Sequence, residues 1–101
     1  MGVDIGGTNL RCALVAVETP TKILARQEAH TPDSAEAVVA LVADMAARCA
    51  QQIGVPVGRI AGLGCVSPGI LDAAAGVVHL AVNLGWKDVP LRALLTAKTG
   101  R

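Results

Sequence analysis

The sequence predicts an α/β fold: a mixed sheet in which a three-strand antiparallel meander is followed by a helix and a parallel strand. Three observations carry this expectation. A short apolar run, Gly2-Val3-Asp4-Ile5, enters a paired-glycine turn almost at once. Two further strand-like runs follow at close intervals, and a stretch with helical periodicity leads into another apolar run. A crossover through a long helix returns the chain parallel to one of the first strands, and such connections are right-handed.

The elements can be justified in order. Leu10 to Val17 carries Leu, Cys, Leu, Val and Val, too apolar for clean alternation, and suits a central strand covered on both faces. Glu18-Thr19-Pro20-Thr21 breaks it, and Lys22 to Glu28 reads as a third, more exposed strand. His30-Thr31-Pro32-Asp33 introduces a helix from about Ser34 to Gln52, with Asp33 as N-cap and Glu36 completing a capping box. Val38, Leu41, Val42, Met45, Cys49 and Ile53 form its apolar stripe, while Glu36, Asp44, Arg48 and Gln52 face solvent. Gly54 and Pro56 supply the stop.

Ile60 to Val66 then reads as a buried strand whose glycines permit close backbone approach, and it ends in Ser67-Pro68-Gly69. Ile70-Leu71-Asp72 and Val77-Val78-His79-Leu80, joined by an Ala-rich turn, suggest a hairpin. His79 is expected to be structural or surface-exposed, since no carboxylate at short spacing points to a dyad. Asn83 to Pro90 reads as a loop, and Leu91, Leu94 and Leu95 mark a short helix capped by Asp88 and stopped by Gly100. Trp86 is expected to pack against that helix.

Composition narrows the function. The 101 residues make one domain at most, 52% apolar and 17% charged, which is globular rather than disordered. No apolar run is long enough for a membrane-spanning helix, and no basic region followed by an apolar stretch marks a secretion signal, so a cytoplasmic location is expected. A net charge of +1 with both signs dispersed argues against nucleic acid and anionic membrane as partners. Trp86 is the lone aromatic residue, which leaves no base-stacking platform. Cys12, Cys49 and Cys65 are odd in number, without metal-ligand spacing, and are expected to act as small buried hydrophobes.

The candidate chemistry lies in Asp4-Ile5-Gly6-Gly7-Thr8. Glycines leave no Cβ in the way, so successive N–H groups can turn toward an anion, and the Thr8 hydroxyl adds a donor. Asp4 is placed to hold magnesium or its water shell beside that phosphate. The same residues also suit a plain β-hairpin with a Gly-Gly turn and Asp4 as an edge carboxylate. Because ligand sites in open α/β sheets lie beyond the carboxyl ends of strands, this turn and Ser67-Pro68-Gly69 are expected to share one crevice.

With Asp4-Ile5-Gly6-Gly7-Thr8, Ser67-Pro68-Gly69 and Asn83-Leu84-Gly85-Trp86 in this order, the sequence resembles the N-terminal part of the ROK family of repressors, open reading frames and sugar kinases. The resemblance covers essentially the whole chain. It implies an actin-like ATPase, ribonuclease H-like domain forming the N-terminal lobe, residues 1–101, of an ATP-dependent hexose kinase of the glucokinase type. Carried over by residue, Asp4, Gly6, Gly7, Thr8 and Asn9 would serve ATP, with Asp4 holding magnesium through water and Arg11 lying nearby. Gly69 and Asn83 would line the hexose pocket, where an amide offers a hydroxyl both donor and acceptor.

The resemblance also implies what lies elsewhere. Family members continue past a glycine like Gly100 into a strand ending in an Asn-Asp pair, whose aspartate is the general base. No catalytic residue is therefore expected before Arg101. Asp72 and Asp88 are weak substitutes, and a structural zinc belongs to a C-terminal part. The intact protein is expected to be a homodimer, and this chain alone inactive. Alternatives are a segment of a sugar-sensing repressor of the same family, disfavoured by the strand beginning at residue 2, and a non-catalytic binding remnant.

Overall fold

Val3 and Ile5 are buried while Gly2 and Asp4 are exposed, so the first strand, β1 (Gly2–Ile5), has one face toward a core and one toward solvent. This alternation organises the first sheet. The computed structural model describes residues 1–101. β1 pairs antiparallel with β2 (Asn9–Val15), and β2 pairs antiparallel with β3 (Ile23–His30). The helix α1 (Ala35–Gln52) then crosses over, and β4 (Gly64–Val66) lies parallel to β1. The resulting order, β3-β2-β1-β4, is the expected meander, helix and parallel strand.

Leu10, Cys12 and Leu14 of β2 are buried against α1, whose inward stripe includes Val38, Val42, Met45 and Cys49. Arg11 stays exposed on the opposite face. β2 is thus central but covered by α1 on one face, not on both, and Ala13 and Val15 obscure its alternation in the sequence. The solvent-side residues of α1 behave as expected, with Arg48 and Asp44 paired at 2.8 Å.

The cap of α1 differs from expectation. Ser34 is the N-cap and its hydroxyl accepts from the Ala37 N–H at 3.1 Å, so Asp33 is one residue too early and Glu36 closes no box. At the other end the Gly54 N–H donates to Gln51 O and the Val55 N–H to Ala50 O, a Schellman closure with Gly54 at φ +72°.

The segment after α1 is also corrected. Only Gly64–Val66 is strand, and all three residues are exposed; a 3₁₀ turn occupies Val57–Arg59, and Ile60 alone is buried. β4 lies at the end of the strand order and pairs only with β1, so its apolar residues are not covered as expected. Cys65 is exposed with it, unlike buried Cys12 and Cys49.

A second sheet, ordered β5-β6-β7, comprises β5 (Ile70–Asp72), β6 (Val77–Ala81) and β7 (Trp86–Val89). The hairpin is the expected one, but β7 replaces half of the expected loop. α2 (Leu91–Thr99) follows, with Pro90 rather than Asp88 at its N-cap position and Gly100 closing it at φ +74°. Trp86 is 4% exposed in the common core, and its indole Nε1 is buried without a partner. No helix is long and apolar enough to cross a membrane.

Candidate functional site

The parallel pairing of β1 with β4 sets Asp4 beside Val66, so the two strands end together. The chain leaves them into Gly6-Gly7-Thr8 and into Ser67-Pro68-Gly69 at the same end of the sheet. That is where open α/β sheets hold ligands. The first turn is a β1–β2 hairpin connection, as the plainer reading had it, but β1 is flanked on both sides and Asp4 is no edge carboxylate.

Inside the turn, the Gly6 N–H donates to Asn9 O at 2.9 Å, and the Thr31 N–H donates to Thr8 O at 2.8 Å. The Thr31 hydroxyl donates to Gly6 O at 2.6 Å. The N–H groups of Gly7 and Thr8 make no hydrogen bond within the chain, and both residues are exposed. Adjacent free N–H donors in a turn are the kind of groups that can hold an anion. Gly6 is required by space: a Cβ there would stand 2.8 Å from Asn9 O. Asn9 contributes through its backbone, since its side chain makes no bond within the chain.

Asp4 is exposed on the outer face of the sheet, in register with Arg11, and Arg11 with Glu28. The Arg11 Nε lies 3.3 Å from Glu28 Oε1, while no basic side chain comes within 4.0 Å of Asp4. Its carboxylate is therefore free to meet a cation. A single carboxylate suits magnesium, which keeps several waters and binds through one or two carboxylates together with phosphates. No group of three or more His, Cys, Asp or Glu side chains is gathered in the chain.

Asn83 sits in a 3₁₀ turn, Val82–Leu84, closed by Gly85 at φ +68°. This turn brings it against Gly7, where an added β-carbon would fall 3.2 Å from Asn83 Cβ. The exposed Asn83 amide makes no hydrogen bond in the chain, so it does not stabilise its own turn. Gly69 has φ +102°, and a Cβ there would lie 2.0 Å from Leu80 O. Its glycine is thus explained by close packing on β6, independently of any ligand.

The remaining candidates are otherwise engaged. Asp72 Oδ1 accepts from the Ala75 N–H at 3.1 Å, which orders the hairpin turn. His79 Nδ1 and Asp88 Oδ1 stand 3.0 Å apart on β6 and β7, exposed on the second sheet. This pairing corrects the reading of His79 as lacking a carboxylate and of Asp88 as a helix cap; Asp88 has φ +51° within its strand. The Cys65 residue is exposed, yet its thiol is pushed up to about 11 by desolvation and by the Asp4 carboxylate. Two concavities lie elsewhere. One, of about 590 Å³, is an open groove on the outer sheet face beside Asp4, Arg11 and Glu28. Another, of about 260 Å³, lies between Cys65, Leu71 and Leu91. Gly7, Thr8 and Asn83 line neither of them.

Thr31 was missed from sequence, where it reads only as part of the helix entry. Its position before Pro32 was the one local signal, because a residue before proline is held extended.

Comparison with known proteins gives a consistent picture. The model of the ROK family matches residues 1–101. A glucokinase from Halalkalibacterium halodurans is 29% identical over 101 residues, covering 98% of this chain and 30% of that protein. A protein assigned as a xylose repressor from Caldicellulosiruptor is 44% identical over 41 residues, covering 41% of this chain and 10% of that protein. Among solved structures, a ROK family glucokinase from Streptomyces griseus, crystallised with glucose and AMPPNP, superposes with a TM-score of 0.83 at 28% identity. That match covers 98% of this chain and 30% of the other. The chain thus spans about 30% of the length of the glucokinases it matches. It has the actin-like ATPase fold and belongs to the ROK family.

Proposed function

We propose that this chain is the N-terminal, phosphate-binding and sugar-contacting segment of an ATP-dependent hexose kinase of the glucokinase type. The observation that carries the reading is the juxtaposition of the free Gly7 and Thr8 N–H groups with the free Asn83 amide packed on Gly7. An anion and a hydroxyl-bearing ligand could then be held side by side. The likeness to a glucokinase crystallised with glucose and AMPPNP supports the same pairing of ligands.

In this reading Gly7 and Thr8 bind phosphate oxygens through backbone N–H groups, with the Thr8 hydroxyl as a further donor, while Gly6 and Asn9 close the turn behind them. Asp4 holds magnesium through its waters; the ion, when bound, neutralises charge on the phosphates. Asn83 orients the sugar by accepting and donating hydrogen bonds, and the backbone at Gly69 lines the same pocket. Asp72 and Asp88 are engaged by a turn and by His79, and the general base in this reading is the aspartate of the Asn-Asp pair that the family resemblance implies past Arg101. Phosphoryl transfer depends on positioning and electrostatic clamping, which this segment supplies only in part. The intact protein is a cytoplasmic homodimer in the same proposal.

The test is ATP-dependent phosphorylation of glucose and of N-acetylmannosamine by the 101-residue chain and by the polypeptide continued past Arg101. Turnover confined to the longer polypeptide is expected, with Asp4→Ala lowering kcat while the melting temperature holds. Unchanged turnover in that variant removes Asp4 from the mechanism. A repressor reading is favoured only by the local 41-residue likeness. Sugar-dependent operator binding without phosphorylation by the continued polypeptide would select it.

A further inference from the structure

We infer that Thr31 is a positioning residue for the phosphate turn, fixing the orientation of the Gly6–Gly7 peptide so that the Gly7 N–H faces outward. The inference rests on the phosphate reading of that turn. Thr31 lies 25 residues from Gly6 in sequence, directly after β3 at the start of the connection to α1, and delivers two hydrogen bonds to the turn. Its hydroxyl donates to Gly6 O at 2.6 Å, and its N–H to Thr8 O at 2.8 Å.

The consequence follows from peptide geometry. In a planar trans peptide the C=O of Gly6 and the N–H of Gly7 belong to one rigid unit and point in opposite directions. Holding Gly6 O toward Thr31 therefore aims the Gly7 N–H away from it, to the exposed side of the turn. A Gly-Gly peptide has little steric preference of its own, because neither residue carries a Cβ to bias rotation of the unit. Without the hydroxyl, the unit could rotate and withdraw one of the two free donors. The N–H bond to Thr8 O ties the far end of the turn to the same residue. Pro32 restricts Thr31 to extended backbone, so the anchor is itself held in place.

Two substitutions separate positioning from packing. Thr31→Val keeps the shape and removes the donor; Thr31→Ser keeps the donor and removes the methyl group. Amide resonances of Gly7 and Thr8 would be followed in the ¹⁵N-labelled 101-residue chain during titration with tripolyphosphate and with ATP and magnesium. The parent is expected to shift at both amides. Thr31→Val should bind about five- to tenfold more weakly, the loss expected for one hydrogen bond, with an altered Gly7 resonance before any ligand is added. Thr31→Ser should bind as the parent does.

Parent-like affinity and an unchanged Gly7 amide in Thr31→Val would overturn the inference while leaving the phosphate reading intact. Absence of any shift at Gly7 and Thr8 in the parent sinks the phosphate reading, and the inference with it. If the valine variant does not fold, the serine variant decides: weakened binding in a folded Thr31→Ser protein contradicts a role carried by the hydroxyl.

Discussion

Asn83 stands directly against Gly7: a β-carbon on Gly7 would come within 3.2 Å of the Asn83 β-carbon. The turn at the end of β1 and the turn at the end of β6 therefore share a wall, although Gly7 and Asn83 lie 76 positions apart in sequence. Any side chain at Gly7 must displace Asn83 by a few tenths of an ångström.

Gly7→Ala should accordingly separate binding from stability. Both residues lie on exposed turns, so the unfolding free energy should change by less than about 1 kcal/mol. Calorimetric titration of the continued polypeptide should show weaker binding of both ATP and hexose. Equal affinities in parent and variant would mean that the Gly7–Asn83 contact does not shape the site.

Gly69 should respond in the opposite sense. With φ +102° and Leu80 O only 2.0 Å from where a Cβ would stand, alanine there meets backbone that cannot yield. Gly69→Ala should cost about 3 kcal/mol or more, chiefly from the displaced β6 strand. Urea unfolding followed by fluorescence is well suited, because Trp86 is the single aromatic residue and is buried.

The two cap candidates of α1 can be compared directly. Ser34→Ala removes the acceptor of the Ala37 N–H and should destabilise the chain by about 1 kcal/mol. Asp33→Ala should lie within about 0.5 kcal/mol of the parent, as for an ordinary surface change. The reverse order in denaturant midpoints would restore Asp33 as the cap.

Alkaline pH should weaken the fold through Cys12. Burial, and then the neighbouring Cys49, push its thiol from the ordinary 9.0 up to about 12. The folded state therefore retains a proton that the unfolded state releases, and stability falls as pH rises from about 9 toward 12. Cys49, also raised chiefly by burial, adds to the same trend. Denaturant midpoints measured across that window should decline less steeply in Cys12→Ala than in the parent. Identical slopes would place the alkaline sensitivity elsewhere.

Much of the fold was legible because its signals are local. The Gly-Gly turn, the apolar stripe of α1, and the stops at Gly54 and Gly100 each depend on residues a few positions apart. β7 was not legible for the converse reason. Gly85, Asp88 and Pro90 are turn-forming residues, and the segment is extended because β6 offers it a partner, with Leu80 opposite Lys87 and Ala81 opposite Trp86. The same pairing brings His79 to Asp88, which sequence spacing did not suggest. For β4, apolar composition implied cover, whereas strand order leaves it at the edge of the sheet.

By itself, the sequence determined an α/β chain with a glycine turn after Asp4 and a helical crossover to a parallel strand, because these follow from periodicity and from the backbone freedom of glycine. Tertiary structure alone decided which groups of that turn are free. Thr31 and Asn9 occupy the donor and acceptors that close it, which leaves the Gly7 and Thr8 N–H groups open, and Asn83 arrives beside them from the second sheet. Hydrogen-bond satisfaction is a property of neighbours in space, and those neighbours are brought together by strand register and crossover rather than by proximity along the chain.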